Sequence, residues 1–277
     1  MPVAKLKTLA IVILLAANLL LLSILIPTRI EQQQEEDALR QSLSQLFAAE
    51  SITLDPDSIP QEITLYELEL GENAAADEKA ATALLGQDAQ LQSAASRYRR
   101  TYQSAAGTCQ INRSGDFHAQ LAGQTTVDSV TASAKKYLKN MGFSYWSVSD
   151  PTAQDNVCTV SATQSVLDVP IFSSTLTLTY TDSRLTGVRG VFFTGAGSLF
   201  RISEEACCSA ADALVAFLAD RYTLGWVGSR ITNVTQGYLQ SDTAAAAAVR
   251  LTPVWCISTD TGLFYVNGLT LEITAAA

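Results

Sequence analysis

The residues of this chain that could do chemistry are few and poorly spaced for it. His118 is the single histidine and stands in a strand-like run. Without a second histidine or a Cys/His cluster, neither a tetrahedral zinc site nor a Ser-His-Asp triad can be assembled. The five cysteines, Cys109, Cys158, Cys207, Cys208 and Cys256, are odd in number and show no C-x-x-C spacing;. Cys158 and Cys256 fall in strand-like runs, where cysteine packs as a small hydrophobe. Cys207 and Cys208 are expected on a helix, pointing in different directions, and no disulfide pairing is readable. Lys135, Lys136 and Lys139 supply the residue type for a Ser-Lys pair, but no motif surrounds them. Gly195-Ala196-Gly197 lacks a following Gly-Lys-Ser/Thr and reads as a flexible turn rather than a phosphate loop;. Asp and Glu are scattered without metal-loop spacing. Asn233-Val234-Thr235 matches the glycosylation pattern, which has no meaning in a bacterial host;. The chain is therefore expected to hold no catalytic residue, no metal and no cofactor, and not to be an enzyme.

Composition narrows the partners. With 277 residues, 48% hydrophobic and 16% charged, the chain can build one large domain or two small ones;. Its net charge of −9 argues against nucleic acid, whose phosphates need clustered Lys and Arg;. The densest basic grouping in sequence is Arg97, Arg99 and Arg100.

The strongest single signal lies at the front. No charge interrupts the chain between Lys7 and Arg29, and Thr8 to Ile26 reads TLAIVILLAANLLLLSILI. At 1.5 Å per residue this run spans about 28 Å, close to the hydrocarbon thickness of a bilayer. A cleaved signal peptide would share the basic start at Lys5 and Lys7. However, the run is longer than an ordinary signal core, and PTRIEQQ after Ile26 offers no small-x-small cleavage site. The expectation is a cytoplasmic tail over 1–7, an uncleaved transmembrane anchor over 8–26 and an exported remainder, giving a single-pass protein of the cell membrane. Asn18 sits mid-span. An amide in hydrocarbon either finds a partner on another membrane helix or is tolerated by an otherwise apolar span, so Asn18 is the candidate transmembrane contact.

Beyond the anchor, Leu39, Leu43, Leu46 and Phe47 recur at helical spacing and predict a helix within 27–50, either a juxtamembrane stalk or a packing helix of the domain;. Pro56 and Pro60 end it, and Ile63 to Leu70 alternates like a strand. A first α+β unit is expected over 51–125, in which the Ala-, Asp- and Gln-rich segment Gly71 to Ala95 reads as a linker plus a short helix reaching Leu85 and stopped at Gly86, followed by a hairpin turning at Arg113 to Asp116;. The remainder, 126–277, is expected as a C-terminal α+β domain of two units. In the first of these a stripe of Val127, Val130, Ala134, Tyr137, Leu138 and Met141 ends at Gly142. Strands follow over 156–166, 171–181 and 185–193. In the second, Ser203 is read as N-cap with Glu204 and Glu205 in the first turn, followed by strands over 231–239, 249–258 and 263–273. Pro253 predicts an edge or bulge in its strand. The fold class is α+β: helices packed on antiparallel sheets in two or three helix-plus-strands units behind a single N-terminal transmembrane helix.

Three stretches resemble a known family. Asp168-Val169-Pro170-Ile171-Phe172 precedes TLTLTYTDSRLTGVRGVFF, and Ile231 to Tyr238 precedes LTPVWCISTDTGLFYVNGLTLEI. At the front, the basic tail, the anchor with Asn18-Leu19-Leu20-Leu21, and Ser51-Ile52 to Pro60 stand in order. Together they resemble the YycH/YycI regulators of Gram-positive two-component systems, with length and single anchor closer to the YycI branch, and the C-terminal stretch is similar to PepSY-like extracytoplasmic domains. The resemblance implies an accessory protein beside a cell-wall-stress (WalK/YycG-type) sensor histidine kinase, acting by protein contacts in or near the membrane, with a sister YycH-like protein as a second candidate partner. It carries no catalytic residues. Its structural motif residues map onto Pro170, Phe172, Gly190, Gly237, Tyr238, Pro253, Trp255, Asp260, Gly262 and Tyr265, which read as turn and core positions. The Ala-rich run Ala244 to Ala248 and the ending after Ile273 depart from the pattern. A PepSY-like ligand-binding or protease-inhibiting module is the alternative function; a pocket lined by exposed aromatics such as Tyr145 and Trp146, or Trp226, would favour it.

Overall fold

The computed structural model describes residues 33–96, 99–123, 125–241 and 249–276, together with Leu14. Asn18, nearly all of the apolar run 8–26 and the alanine run 244–248 lie outside the described residues. Among those described, no helix is long and apolar enough to cross a membrane.

Two helix-on-sheet layers account for the fold. In the first, α2 (Ala74–Leu85) and α3 (Val130–Met141) pack side by side on an antiparallel sheet. Asn73 caps α2 by accepting the Ala76 N–H at 3.0 Å, and alanine-rich sequence suits the helix interior;. Ser129 caps α3, and Gly142 at φ +82° supplies the left-handed residue that closes it;. The sheet contains β3 (Gln90–Ser96), β4 (Arg99–Ser104), β5 (Gly107–Asn112), β6 (Asp116–Leu121), β9 (Val157–Val166), β10 (Val169–Thr181) and β11 (Arg184–Val191). Their order is β3-β4-β5-β6-β11-β10-β9, with β7 (Tyr145–Val148) and β8 (Thr152–Gln154) along the outer side of β9. Leu176, Leu178 and Tyr180 are fully buried beneath the helices while the intervening threonines are half-buried, the alternation the sequence predicts;.

The second layer carries α1, a helix over 33–49, and α4 (Ala210–Asp220). Its sheet joins β1 (Thr53–Leu54), β2 (Tyr66–Leu70), β12 (Leu199–Ala206), β13 (Arg230–Ser241), β14 (Val249–Thr259), β15 (Leu263–Asn267) and β16 (Ile273–Ala275). The spine is β12-β2-β14-β13, with β15 and β16 continuing from β14. Leu43 and Phe47 of α1 are buried with Leu214, Phe217 and Trp255. Leu39 and Leu46 remain 48% and 44% exposed. The second half of α1 is therefore a packing helix of the domain, and residues 33–42 lead away from it largely exposed.

Three expectations need correction. The division at 125/126 falls inside one sheet, because β6 pairs with β11 from Gln120↔Gly187 to Asp116↔Val191; the first two helix-plus-strands units share a hydrophobic core. Ser203, Glu204 and Glu205 lie in β12, not at a helix start. They bulge between Arg201 and Ala206, whose antiparallel pairing to β2 keeps the segment extended, and the cap of α4 is Ser209, in a reciprocal box with Asp212;. Pro253 is at neither an edge nor a bulge. It is buried opposite Tyr238 where the outer partner of β14 changes from β2, paired to 249–251, to β15, paired to 254–258. A residue without an N–H is tolerated there because neither partner strand needs that donor.

Candidate functional site

Of the family-pattern residues, Pro170, Phe172, Gly237, Tyr238 and Pro253 meet where the two layers join, while Gly190 lies in β11, Trp255 in the second core and Asp260 and Gly262 in the turn between β14 and β15. Pairing of β10 to β9 is interrupted between Pro170 and Thr175, and within that gap Ile171 bridges to the other sheet through the parallel pair Ile171↔Tyr238. Gly237 makes this crossing possible: a Cβ there would lie 2.5 Å from the Pro170 carbonyl oxygen and 2.6 Å from the Phe172 ring. Tyr238 is fully buried and donates its hydroxyl to the Tyr66 carbonyl at 3.1 Å; burial pushes its pKa up to about 12. The Phe172 and Tyr265 rings meet at 5.3 Å, and Trp255 donates its indole N–H to the Cys208 carbonyl at 3.0 Å. Asp260 accepts the Ser229 N–H at 2.9 Å, the main reason its carboxyl is held below the usual range. These residues bond to one another and to backbone. The set is structural, as its residue types suggest.

A second seam contact was not foreseen. Asp77 in α2 is nearly buried and is bonded both by Arg100 of β4 and by the Thr194 hydroxyl, the latter at 2.5 Å. Thr194 opens the 3-10 turn Thr194–Gly197, which is where the Gly195-Ala196-Gly197 run lies. The cavity beside Asp77, bordered by Asn73, Arg113 and Thr194, holds only about 40 Å³. That volume suits a few waters, not a substrate. A lone Asp on an Ala-rich helix looks like a solvent-facing residue, so only the Arg100 position could have hinted at the pair.

The remaining candidates are dispersed. His118 is exposed on β6, its backbone paired with Gln110 and Arg189. All five cysteines are free. Burial pushes the Cys109 and Cys256 thiols up to about 12 and about 11. Cys207 and Cys208 lie in the extended segment before α4 and not on a helix, because their N–H groups donate to Leu65 and Gly268 carbonyls at 2.8 and 2.6 Å. Among the described residues no three His, Cys, Asp or Glu side chains gather around a possible metal position. Trp226 is buried against Phe217 at 5.0 Å, whereas Tyr145 and Trp146 are 39% and 52% exposed on β7. Asn18 lies outside the described residues.

The fold is that of an α+β protein in which two helix-on-sheet layers are joined through one crossing strand. The sequence matches the family model described as YycI protein over residues 30–269, and the chain belongs to the YycI family. Membership associates it with regulation of the YycG/WalK two-component system. The structure is similar to the solved C-terminal domain of Bacillus megaterium YpeB, at 12% identity and a TM-score of 0.40, covering 75% of this chain and 99% of that one. No curated protein matches the sequence.

Proposed function

We propose that this chain is a single-pass membrane protein that adjusts a YycG/WalK-type sensor kinase by non-catalytic contacts in or near the membrane. The observation that carries this reading is the family match across residues 30–269. The apolar run over 8–26, with Asn18 at its midpoint, supplies the anchor and a contact surface within the bilayer;. Packing of α1 supports a mechanical route. Leu43 and Phe47 are buried in the same core as Leu214, Phe217 and Trp255. Two such side chains contribute about 1.5–3 kcal/mol each. A regulatory coupling of about 1–3 kcal/mol is no larger, so a shift of the anchor is passed to the domain before α1 peels away. The kinase responds to whatever difference in contact energy its two conformations experience.

The deciding experiment exchanges residues 1–40 for an unrelated anchor and records kinase output in cells, alongside co-purification of the kinase from membranes. Loss of both supports the reading. Full regulation with the foreign anchor would sink it.

A PepSY-like ligand-binding or protease-inhibiting module is the second reading, favoured by the exposed Tyr145, which borders a hollow beside α3. It predicts that the exported portion alone binds a ligand and needs no anchor identity.

A further inference from the structure

Lysine is scarce in this chain and unevenly placed. Apart from Lys5 and Lys7, its lysines are Lys79, Lys135, Lys136 and Lys139. The fold brings these four together where α2 packs against α3, and all four are exposed. They line a cleft of about 640 Å³ that also includes Gly142, Phe143 and Tyr145. Lys79 and Lys139 border a second depression as well, about 730 Å³, which reaches along the helices past Glu78 to Gln87. The two hollows adjoin at these two lysines, and together they are termed the trough. Glu78 is its only carboxylate among the described residues, and none of the four lysines takes part in an ion pair there.

This is a strongly positive concavity on a molecule of net charge −9. The mutual repulsion of the ammonium groups is left uncompensated by the protein, so an anion bound from outside would relieve it. The charges are lysines without arginine. A lysine acts as a compact point charge with rotatable donors, which suits phosphate oxygens presented at varying angles better than the planar bidentate match of guanidinium to carboxylate. Its extent along the two helices, from Tyr145 to Gln87, suits a chain more than a single headgroup.

We propose that this trough binds a linear phosphate-bearing polyanion, a polyphosphate or phosphodiester chain, across the α2–α3 seam. The inference is independent of the kinase reading. Four contacts of this kind give a slope of log affinity against log salt of about −3, taking roughly 0.7 per contact as for a single-stranded polyanion.

The test uses the full chain in non-ionic detergent, titrated with end-labelled linear polyphosphate at several salt concentrations. Wild type should show the slope of about −3. The triple variant Lys135→Gln/Lys136→Gln/Lys139→Gln keeps helix propensity and should bind at least about tenfold more weakly at low salt, with a slope near −1. Circular dichroism checks that its fold is intact, and Arg184→Gln, an exposed charge on β11, should bind like wild type. Unchanged affinity and slope in a folded triple variant would overturn the proposal. So would binding to phosphatidylglycerol vesicles through these lysines with no affinity for polyphosphate, which would reassign the trough to the membrane surface.

Discussion

Gln236 grips the backbone of Ile63 with both ends of its amide: Oε1 accepts the Ile63 N–H at 2.9 Å and Nε2 donates to the Ile63 carbonyl at 2.8 Å. Ile63 precedes β2 in a stretch with no ladder partner, so one side chain does what a neighbouring strand would do. The other layer repeats the device. Gln164 accepts the Phe193 N–H at 3.0 Å and donates to the Phe193 carbonyl at 2.9 Å, with Ser174 donating to the same amide oxygen at 2.7 Å.

The two clamps differ in burial, which ranks their substitutions. Ile63 is 45% exposed, so water can replace the amide after Gln236→Leu. Phe193 and Gln164 are both buried, and Gln164→Leu strands the Phe193 N–H and carbonyl, while the Ser174 hydroxyl can still donate to the Val191 carbonyl at 2.9 Å. Leaving buried polar groups unpaired costs about 1–3 kcal/mol. Urea unfolding should place Gln164→Leu near the upper end of that range and Gln236→Leu near the lower. The reverse ranking would contradict this account of the clamps.

The sheet crossing makes Gly237 intolerant of a methyl group. Gly237→Ala places a carbon against the Pro170 carbonyl, which is backbone and cannot swing aside, so a loss of about 1–3 kcal/mol is expected;. Gly197→Ala meets nothing within 4 Å and should stay within about 0.5 kcal/mol of wild type;. Thermal unfolding of both variants side by side gives the comparison.

Asp77 is expected to behave as half of a desolvated pair. Asp77→Ala leaves Arg100 facing a nearly buried position without a counter-charge and removes the Thr194 acceptor. Breaking fully buried pairs costs about 3–5 kcal/mol; the Arg100 side chain is 26% exposed, so about 2–3 kcal/mol is expected here;. Removing both charges, in Asp77→Ala/Arg100→Met, should recover part of the loss. A double-mutant cycle reads the coupling directly, and a coupling near zero would refute the role assigned to the pair.

Buried thiols set an alkaline limit on stability. Cys109 is fully buried, and its pKa rises from 9.0 to about 12 on folding, first through burial and then through the Asp77 charge. The unfolded chain releases this proton from pH 9 upward while the folded one retains it, so its contribution is complete below pH 9 and declines as pH rises towards 12. The decline is about 1.4 kcal/mol per pH unit for this group. Urea midpoints at pH 8 and 10.5 should separate in wild type, and Cys109→Ala should narrow the gap.

Much of the fold was legible where the information is local. The stripe of α3, its Gly142 stop and the threonine-leucine alternation of β10 all appear as read. The start of α4 was misread because Ser203 and Ser209 are both followed by acidic residues. What separates them is distant: Leu199↔Leu70 and Ala206↔Tyr66 hold the first serine in a strand. β3 was read as linker because Gln and Ala are weak strand formers, and it is β4 that holds it extended;. The Asp77 pair was invisible for a related reason, since its partners Arg100 and Thr194 come from separate strands and turns.

The sequence by itself determined much of the alternation of helices and strands, the Gly142 stop of α3 and the family to which the chain belongs. These follow from periodicity, turn chemistry and residue type, which act over a few neighbouring positions. Tertiary structure alone decided that the first two units share one sheet, that β10 crosses to the second at Tyr238, and that Pro253 stands where β14 changes partners. It also decided that Lys79 meets Lys135, Lys136 and Lys139 in one trough. Each of these depends on which strands or helices become neighbours, and that choice is made by burying apolar faces against distant segments rather than by local sequence.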